Sequence, residues 1–313
     1  MKINVVVSSD DNYCIHIYPL FLSILENSKG NFYNFYIFHS GSKLSEKNKD
    51  LLKGFFEKYS CKLIFKKIND DIFEKLECSV KYLSSATYYR LIAFNEIPEK
   101  KVIYLDLDII VNCDLKEFYN SNLMSNPIGA IKDYILGLEY RKDYFNAGVL
   151  LVDLEKWKKN GYSKKCLHNI LKDSDTPAYD DQDVLNKVFK NNWQHLPLKY
   201  NRQKILFDFY GSYFHISQAQ YNSLLNSPAI IHYTGRTKPW HFRYVFPDKK
   251  YYIKYLKKTP WMNDLNKDFS VISFCFFVLR WLIYKFKIRK ILNVLKRLYL
   301  QACKKYNWHW HNN

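Results

Sequence analysis

The first half of the sequence alternates short apolar runs with segments of helical periodicity. Helical patterns fill residues 18–27 and 45–59, and apolar runs cover residues 3–8, 34–39, 62–66 and 101–111. Apolar runs separated by helices are typical of a parallel sheet that is covered by helices on both faces. We therefore predict an α/β fold with a Rossmann-like, mostly parallel twisted sheet, in which ligands bind at the carboxyl ends of the strands.

Composition excludes several classes of protein. The chain has 313 residues, of which 48% are hydrophobic, so it can bury a large core, and intrinsic disorder is excluded for most of it. Its seven cysteines form no C-x-x-C pair, which argues against a zinc site or a redox motif and for free thiols. The first residues enter a strand pattern without the features of a secretory signal, so we expect a cytoplasmic protein.

The positive charge is concentrated near the C-terminus. The formal net charge is +18, and no acidic residue follows Asp268, whereas residues 269–313 contain nine lysines and arginines. Such an asymmetry indicates a separate basic appendage. We expect a main domain over residues 1–265 and a basic, aromatic tail over residues 266–313.

Two acidic motifs follow predicted strands. Residues 9–12 (Ser-Asp-Asp-Asn) come directly after the first strand, and Asp106 and Asp108 follow the apolar residues 101–105. Alternate residues of a strand point to the same side, so the two carboxylates of this D-x-D would lie together and repel each other unless a cation joins them. A hard divalent cation such as Mn²⁺ or Mg²⁺ suits carboxylate ligands. The alternative interpretation is a strand end whose acidic side chains face solvent.

Six sequence segments, found together and in this order, indicate a protein family more specifically than any one of them does alone. They are residues 9–13 (SDDNY), 84–91 (SSATYYRL), 104–108 (YLDLD), 144–151 (YFNAGVLL), 179–186 (YDDQDVLN) and 232–241 (HYTGRTKPWH). The set resembles glycosyltransferase family 8, and within it the bacterial lipooligosaccharide galactosyltransferases and glucosyltransferases. The resemblance implies a GT-A catalytic domain. It also implies a hexosyltransferase that moves galactose or glucose, with retention, from a UDP-sugar to a lipopolysaccharide, a lipooligosaccharide or another cell-surface glycan.

The resemblance also implies a metal and diphosphate site. Asp106 and Asp108 are similar to the family's metal-binding D-x-D, with His232 as the third protein ligand of Mn²⁺ or Mg²⁺. Gly235 would allow close backbone approach, and Lys238 would offer positive charge to the UDP diphosphate. Without the surrounding motif, His232 would be an ordinary strand histidine and Lys238 a solvated surface lysine.

Further donor contacts are implied by the other segments. Asp10 and Asn12 resemble the residues that bind uracil and ribose, with a turn held by Asx hydrogen bonds as the alternative. The positions implied around the donor sugar and diphosphate are Arg90, Asp133, Asn146, Asp181 and Gln182. For Arg90 the alternative is a structural ion pair, and for Asn146 a turn residue.

Retention at the anomeric carbon allows two mechanisms. Double displacement needs a carboxylate near that carbon, for which Asp180, Asp181 and Asp183 are the candidates. The family pattern instead places the amide of Gln182 there, and an amide is a poor nucleophile. We therefore favour departure and attack on one face of an oxocarbenium-like sugar, with Gln182 and Asp181 as the catalytic residues.

The tail suggests a membrane surface as partner. Residues 269–279 are uncharged, but they are about half as long as a membrane span. From Tyr284 onward, apolar and basic residues take opposite sides of a helical pattern, which is typical of a basic amphipathic helix in an anionic lipid interface, with Trp281, Trp308 and Trp310 as anchors. We expect a peripheral protein on the inner face of the cell membrane that acts on a lipid-linked acceptor.

Other interpretations stay open at this point. The tail could pack on the main domain, or it could bind nucleic acid, although no nucleic-acid motif accompanies it. The chain could also be a non-catalytic basic binding module on a sugar-nucleotide fold. The stretch between Asp133 and Phe145 is shorter than in the galactosyltransferases, and residues 201–220 cannot be matched to the family, so the acceptor and the choice between galactose and glucose are not predicted.

Overall fold

The computed structural model of the chain describes residues 1–41, 43–69, 88–134, 143–172, 180–208, 216–288, 290–292 and 294–295, with residues 171, 172 and 180 described by their backbone alone. Several predicted features lie outside this part of the chain. They are motif residues 84–87 and 179, the side chain of Asp180, residues 209–215 of the aromatic stretch, and the tail from residue 296 onward with Trp308 and Trp310.

The chain opens with the β-α alternation that the sequence predicts. The elements are β1 (Lys2–Ser8), α1 (Cys14–Glu26), β2 (Phe32–Ser40), α2 (Glu46–Phe56) and β3 (Cys61–Ile68). β1 pairs in parallel with β2, and β2 pairs in parallel with β3. The Ser45 hydroxyl accepts a hydrogen bond from the Asn48 backbone N–H and caps α2, since the first N–H groups of a helix lack partners inside it.

The elements of the remaining chain alternate less regularly. They are α3 (Tyr89–Ala93), β4 (Lys101–Leu105), β5 (Ile109–Val111), α4 (Lys116–Tyr119), β6 (Ile128–Lys132), β7 (Phe145–Asp153), α5 (Leu154–Lys159), α6 (Tyr162–Lys172), α7 (Asp180–Val188), β8 (Gln194–His195), β9 (Arg202–Gln203), α8 (Gln218–Asn226), β10 (Ile230–His232), α9 (Lys249–Leu256) and α10 (Val271–Lys285).

Two sheets organise these strands. The central sheet has seven strands in the order β3-β2-β1-β4-β7-β6-β8, and a small sheet has the order β5-β10-β9. In the central sheet β7 runs antiparallel to β4 and β6, and the other neighbouring pairs are parallel. The predicted α/β fold with a mostly parallel sheet is therefore confirmed.

Helices cover both faces of the central sheet. Val5 and Val7 of β1 belong to the hydrophobic cluster that contains α1 and α9. Val6, which points to the opposite side of the same strand, belongs to the cluster that contains α3 and α5–α7 with the fully buried Trp157. Burial on both faces explains why β1 is an almost continuous apolar run.

The predicted strand over residues 101–111 is wrong, because the chain leaves the central sheet in its middle. β4 ends at Leu105, and β5 begins at Ile109 in the small sheet, where it pairs antiparallel with β10. Asp106 and Asp108 therefore lie in a bend between the two sheets, not on one face of a strand. Their neighbourhood is decided by strand pairing, since Asp106 N–H donates to the Gly148 carbonyl and Tyr233 N–H donates to the Asp108 carbonyl.

The start of the tail is one helix that contacts the main domain along one side. Ser270 caps the N-terminus of α10, because its hydroxyl accepts a hydrogen bond from the Ser273 backbone N–H. Phe277 packs against Phe242, and the Arg280 Nη1 donates to the Thr237 hydroxyl at 2.7 Å. Within the described residues, no helix is both long and apolar enough to cross a membrane.

The predicted start of the amphipathic helix at Tyr284 is also wrong. Tyr284 belongs to α10, which ends at Lys285, and Lys287 has a left-handed φ of 54° that interrupts the helical backbone. The contacts of α10 agree with the alternative of a helix packed on the main domain, while its opposite side is exposed. The division at residue 265 stays a prediction.

Candidate functional site

Asp106, Asp108 and His232 converge at the junction of the two sheets. Each offers one ligand atom, and these atoms lie within 4.8 Å of one another. His232 Nε2 is 3.7 Å from Asp106 Oδ2 and 3.2 Å from Asp108 Oδ1. Asp106 follows β4, Asp108 precedes β5, and His232 ends β10 next to Ile109, so strand pairing brings together residues far apart in the sequence.

A chain of hydrogen bonds orients the His232 ring. The Gly148 backbone N–H donates to Asn146 Oδ1, which identifies that atom as an acceptor. Asn201 must therefore donate its amide N–H₂ to Asn146 Oδ1, at 2.9 Å, and present its own oxygen to His232 Nδ1, at 3.1 Å. The Asn201 oxygen can only accept, so this assignment puts the proton of neutral His232 on Nδ1.

The assignment leaves the lone pair of His232 Nε2 directed at two carboxylates. Three electron-rich atoms this close repel one another unless a cation lies between them. Ligand atoms about 2.1 Å from an octahedral cation lie about 3 Å apart, near the observed 3.2 and 3.7 Å separations. Two carboxylates and one imidazole also suit Mn²⁺ or Mg²⁺ better than a soft metal. The residues fit a hard divalent cation.

Gly148 leaves room for this cluster. A Cβ at residue 148 would lie 2.3 Å from His232 Cε1 and 2.6 Å from Asp106 Oδ2, closer than Cβ atoms in proteins come to other heavy atoms. The hydrogen bond from Asp106 N–H to the Gly148 carbonyl holds the two backbones together at this point. Only glycine therefore fits at residue 148 without displacing two of the three candidate ligands.

Lys238 neutralises one carboxylate of the cluster. Its buried ammonium group binds Asp108 Oδ2 and donates to the Tyr233 carbonyl at 3.1 Å. Burial alone would raise the pKa of Asp108, but the Lys238 ammonium lowers that pKa well below its usual range. Asp108 is therefore ionised at neutral pH, with Oδ1 directed at His232 and Oδ2 at Lys238.

Arg90 links the cluster to α7. It pairs through Nη2 with Asp106 Oδ1 and through Nε with Asp181 Oδ2, each at 2.9 Å, and it donates to the Ala147 carbonyl. Burial alone would lower the pKa of Arg90, but Asp106 and Asp181 raise it above its usual range. The Tyr104 hydroxyl also donates to Asp106 Oδ1. These contacts are those of a structural ion pair, which was the alternative role for Arg90. Contact between Arg90 and the donor sugar or its diphosphate stays a prediction.

Gln182, Asn146 and Asp133 form a second network beside the cluster. The Gln182 oxygen accepts from the Ala147 backbone N–H at 3.0 Å and from the Asn146 amide at 3.2 Å. The amide groups of Gln182 and Asn146 both donate to Asp133 Oδ2, at 3.4 and 3.2 Å. Asp183 lies apart from this network and accepts a hydrogen bond from the Tyr144 hydroxyl.

Asp10, Asn12 and Gly235 lie on the loops beside the cluster. β1 and β4 are parallel neighbours, so Asp10 and Asn12 follow β1 at the sheet edge where Asp106 follows β4. Asp10 is buried and accepts the Tyr13 N–H, as an Asx turn does, whereas Asn12 is exposed. Gly235 has φ +82°, which favours glycine.

The loop that carries Lys238 is anchored on α1. The Trp240 ring stacks on His16 with 3.6 Å between ring centroids, and the Tyr252 hydroxyl bonds His16 Nδ1 at 2.8 Å. Burial lowers the pKa of His16 to about 3, so the ring stays neutral and the stack does not depend on pH in the neutral range.

Comparison with known proteins identifies the family. The sequence pattern of glycosyl transferase family 8 matches residues 4–243. The chain belongs to glycosyltransferase family 8. The matched range contains Asp106, Asp108 and His232 and all the side chains described above that form hydrogen bonds or ion pairs around them.

Named relatives are similar to the chain in sequence, and a solved structure is similar to it in fold. The chain is 28% identical over 295 residues to lipopolysaccharide 1,2-glucosyltransferase of Escherichia coli K12, covering 87% of this chain and 83% of the relative. It is 26% identical over 272 residues to general stress protein A of Bacillus subtilis, covering 82% and 94%. The galactosyltransferase LgtC, solved with donor and acceptor sugar analogs, superposes with a TM-score of 0.74 at 24% identity, over 84% of this chain and all of LgtC. The predicted GT-A fold is confirmed.

Sequence reasoning overlooked two residues of this family 8 site. Gly148 lies in the motif at residues 144–151, and its position between small residues and an apolar run is a signal that could have singled it out. Asn201 is completely buried and lies 31 residues before His232, and no pattern in the sequence connects the two. Both act on the orientation of the candidate ligands.

Removing the Asn201 amide is expected to weaken metal binding about 10–100-fold, because the His232 ring would lose the acceptor that sets its proton and its orientation. The variant is Asn201→Ala, and Mn²⁺ affinity is measured by electron paramagnetic resonance of free Mn²⁺. Asn201→Asp keeps an acceptor for Nδ1–H and should recover much of the loss. Unchanged Mn²⁺ affinity in a folded Asn201→Ala protein would contradict the orienting role.

Proposed function

We propose that this family 8 protein is a retaining, metal-dependent hexosyltransferase that moves galactose or glucose from a UDP-sugar to a lipopolysaccharide, a lipooligosaccharide or another cell-surface glycan. The observation that carries the proposal is the cluster of Asp106, Asp108 and His232 in a family 8 chain. The choice of hexose follows the relatives, one named a lipopolysaccharide glucosyltransferase and one a galactosyltransferase.

The donor would bind across the ends of β1 and β4. Asp10 and Asn12 would contact uracil and ribose, and Gly235 and Lys238 would lie against the diphosphate. A bound Mn²⁺ or Mg²⁺ supplies positive charge for the diphosphate. The buried Lys238 ammonium adds a second charge, and charge in a buried site stabilises a leaving group more than it would in water.

The neighbouring side chains support a one-face mechanism over double displacement. Asp181 is ion-paired with Arg90, and Asp183 accepts a hydrogen bond from Tyr144, so both carboxylates are engaged in contacts that weaken a nucleophile. Gln182 is held by the backbone of Ala147 and would position the sugar, as would Asp133 and Asn146. An LgtC mutant with a glutamine of its active site replaced by glutamate has also been solved.

The test of the function is transfer itself. With Mn²⁺ present, the protein should hydrolyse or transfer from UDP-galactose or UDP-glucose, and nuclear magnetic resonance of the product should give an α linkage. Gln182→Ala should slow the reaction about 10–100-fold without stopping it, because the amide positions the sugar and forms no bond to it. Asp183→Asn, which changes a neighbouring side chain outside this network, is the matched comparison and should have the smaller effect.

Three outcomes would contradict parts of this proposal. A β-linked product would exclude retention. A covalent sugar trapped on Asp180, Asp181 or Asp183 would replace the one-face mechanism with double displacement. Saturable binding of the UDP-sugars with no turnover, across a range of saccharide acceptors, would favour the non-catalytic binding module.

The exposed side of α10 supports attachment to an anionic membrane. Ile272, Phe276 and Leu279 lie at helical spacing on that side and are 69%, 50% and 54% exposed. Residues 269–313 of the same tail contain nine basic and no acidic residues, so apolar contact and charge would act together on anionic lipid. We therefore place the enzyme on the inner face of the cell membrane, close to a lipid-linked acceptor.

Placing two charges on this side, as Ile272→Glu with Leu279→Glu, is expected to reduce binding to phosphatidylglycerol vesicles at least about tenfold, since both apolar contact and charge attraction are lost. Sedimentation with vesicles measures the binding, and hydrolysis of UDP-sugar should stay normal. Leu51→Glu changes an exposed leucine of α2 and should leave binding unchanged. These variants are cleaner than deleting residues 269–313, which would also remove Arg280. Equal sedimentation of the double variant and the wild type would exclude the membrane role of this side.

A further inference from the structure

A cationic cavity lies on the inner side of α10, between this helix and the main domain. Its volume is about 590 Å³ including its open mouth. Four basic side chains line it, and the acidic residue in its lining is Asp208. The basic residues are Lys204, Arg280, Lys287 and Lys290. They come from the main domain and from the tail, so the cavity exists only because the two are packed together.

Two of the four cations of this cavity, Lys204 and Lys290, are partly removed from water, whereas Arg280 and Lys287 are exposed. Burial lowers the pKa of Lys204 to about 8, with Lys238 and Arg280 adding to the effect while Asp208 opposes it. Burial also lowers the pKa of Lys290, and Lys287 contributes. Like charges brought together at reduced solvation are unfavourable unless an anion joins them. The cavity is therefore electrostatically suited to an anionic group.

The wall of the cavity is aromatic. Phe207 and Phe246 stack with 5.0 Å between ring centroids, and Tyr284 meets both rings edge-on at 6.1 and 5.4 Å. Cations beside an aromatic wall match a ligand that carries negative charge on an apolar chain. An anion without an apolar chain would bind the cations but would make no contact with the aromatic wall.

The cavity is connected to the candidate active site through one residue. Lys204 Nζ donates to the Thr237 carbonyl at 3.3 Å, and Arg280 Nη1 donates to the Thr237 hydroxyl at 2.7 Å. Thr237 precedes Lys238, which binds Asp108 of the cluster. A ligand in the cavity would lie next to the loop that carries Lys238.

We propose that this cavity binds a phosphate ester carried on an apolar chain. The proposal rests on the proposed function. The cavity holds a phosphate of the lipid-linked acceptor, or of the lipid beside it, while the sugar end of the acceptor reaches the active site. In this arrangement the tail contributes to the recognition of the acceptor as well as to attachment.

The test is binding of dodecyl phosphate, below its micelle concentration, to the full-length protein by isothermal titration calorimetry. One saturable site is expected, with weaker binding of inorganic phosphate and of dodecyl maltoside, which lack the chain and the charge respectively. Lys287→Gln should weaken dodecyl phosphate binding at least tenfold. Lys285→Gln removes the same charge two residues away and outside the cavity, where Lys285 lies over the Trp281 ring, and should change the affinity less than twofold.

Further variants keep the result independent of folding and of transfer. Lys287 is exposed, so its variant should fold, and Arg280→Lys should retain more affinity than Arg280→Ala. Equal weakening by Lys287→Gln and Lys285→Gln, or no saturable binding of dodecyl phosphate, would overturn the proposal. Because the readout is binding, this result is separate from whether hexose transfer occurs.

Vesicles distinguish the two sources of the phosphate. If Lys287→Gln lowers sedimentation with phosphatidylglycerol vesicles more than Lys285→Gln does, the cavity binds a lipid headgroup. If the two variants sediment equally while dodecyl phosphate binding still depends on Lys287, the cavity binds the phosphate of the acceptor. Either result supports the site, and phosphatidylcholine vesicles provide the uncharged reference.

Discussion

Asp108→Asn is expected to abolish metal-dependent transfer, lowering kcat/KM by about a thousandfold or more. The amide is a neutral and weaker ligand, and a metal that stabilises developing charge contributes several kcal/mol, of which each 1.4 kcal/mol is about tenfold in rate. The measurement is initial rate against Mn²⁺ concentration, with UDP-galactose and UDP-glucose, and Mn²⁺ binding measured separately. For the wild type, a chelator should remove activity and added Mn²⁺ should restore it.

A control for this variant must separate the loss of a metal ligand from the loss of the ion pair with Lys238. Asp108 also pairs with the buried Lys238 ammonium, so its replacement leaves a buried charge without its partner and is expected to lower the unfolding temperature. Asp106→Asn keeps that ion pair and should still lose Mn²⁺ affinity. Asp50→Asn changes an exposed carboxylate of α2 and should change neither property. Full activity of Asp108→Asn in metal-free buffer would refute the metal site.

Gly148→Ala is expected to lower both Mn²⁺ affinity and transfer by about a hundredfold or more. The added Cβ would overlap His232 and Asp106, and the backbone hydrogen bond from Asp106 to residue 148 prevents the strands from separating to admit it. Displacement of reacting groups by about 1 Å can cost about 100-fold in rate. Mn²⁺ titration and initial rates on the same preparation measure the two effects.

A matched glycine separates this effect from a general loss of stability. Gly54 lies inside α2, and among the described residues no side chain or neighbouring strand comes within 4 Å of the position that a Cβ would take there. Gly54→Ala should therefore raise stability by about 0.5–1 kcal/mol and leave transfer unchanged. If Gly148→Ala binds Mn²⁺ as the wild type does, the close packing of residue 148 on the cluster has no functional role.

The fold could be predicted because its signals are local. The apolar runs of β1 and β2, and the helical pattern between them, reflect burial on both faces of a sheet, and that burial is visible in the side chains of each segment alone. The capping serine of α2 is local in the same way. The boundary between β4 and β5 was missed because both strands are apolar. No feature of residues 101–111 indicates that the two strands pair with different partners.

The candidate site could be predicted only in part. Asp106 and Asp108 are close together in the sequence, and His232 and Lys238 were found because their motif resembles a known family. Asn201 carries no motif, although it orients His232 through a single hydrogen bond. The cavity beside α10 was not predicted, since Lys204 and Lys287 are unremarkable lysines until the tail packs on the main domain.

The sequence by itself determined the α/β class, the concentration of basic charge in the tail and the residue types available for a hard cation. The tertiary structure alone decided that two carboxylates from a bend between sheets meet a histidine from β10, and that Gly148 leaves the space they need. The physical reason is the separation along the chain between the residues that interact. Periodicity and burial act between residues close in the chain, whereas the cluster depends on pairing between strands separated by more than one hundred residues, which no local pattern encodes.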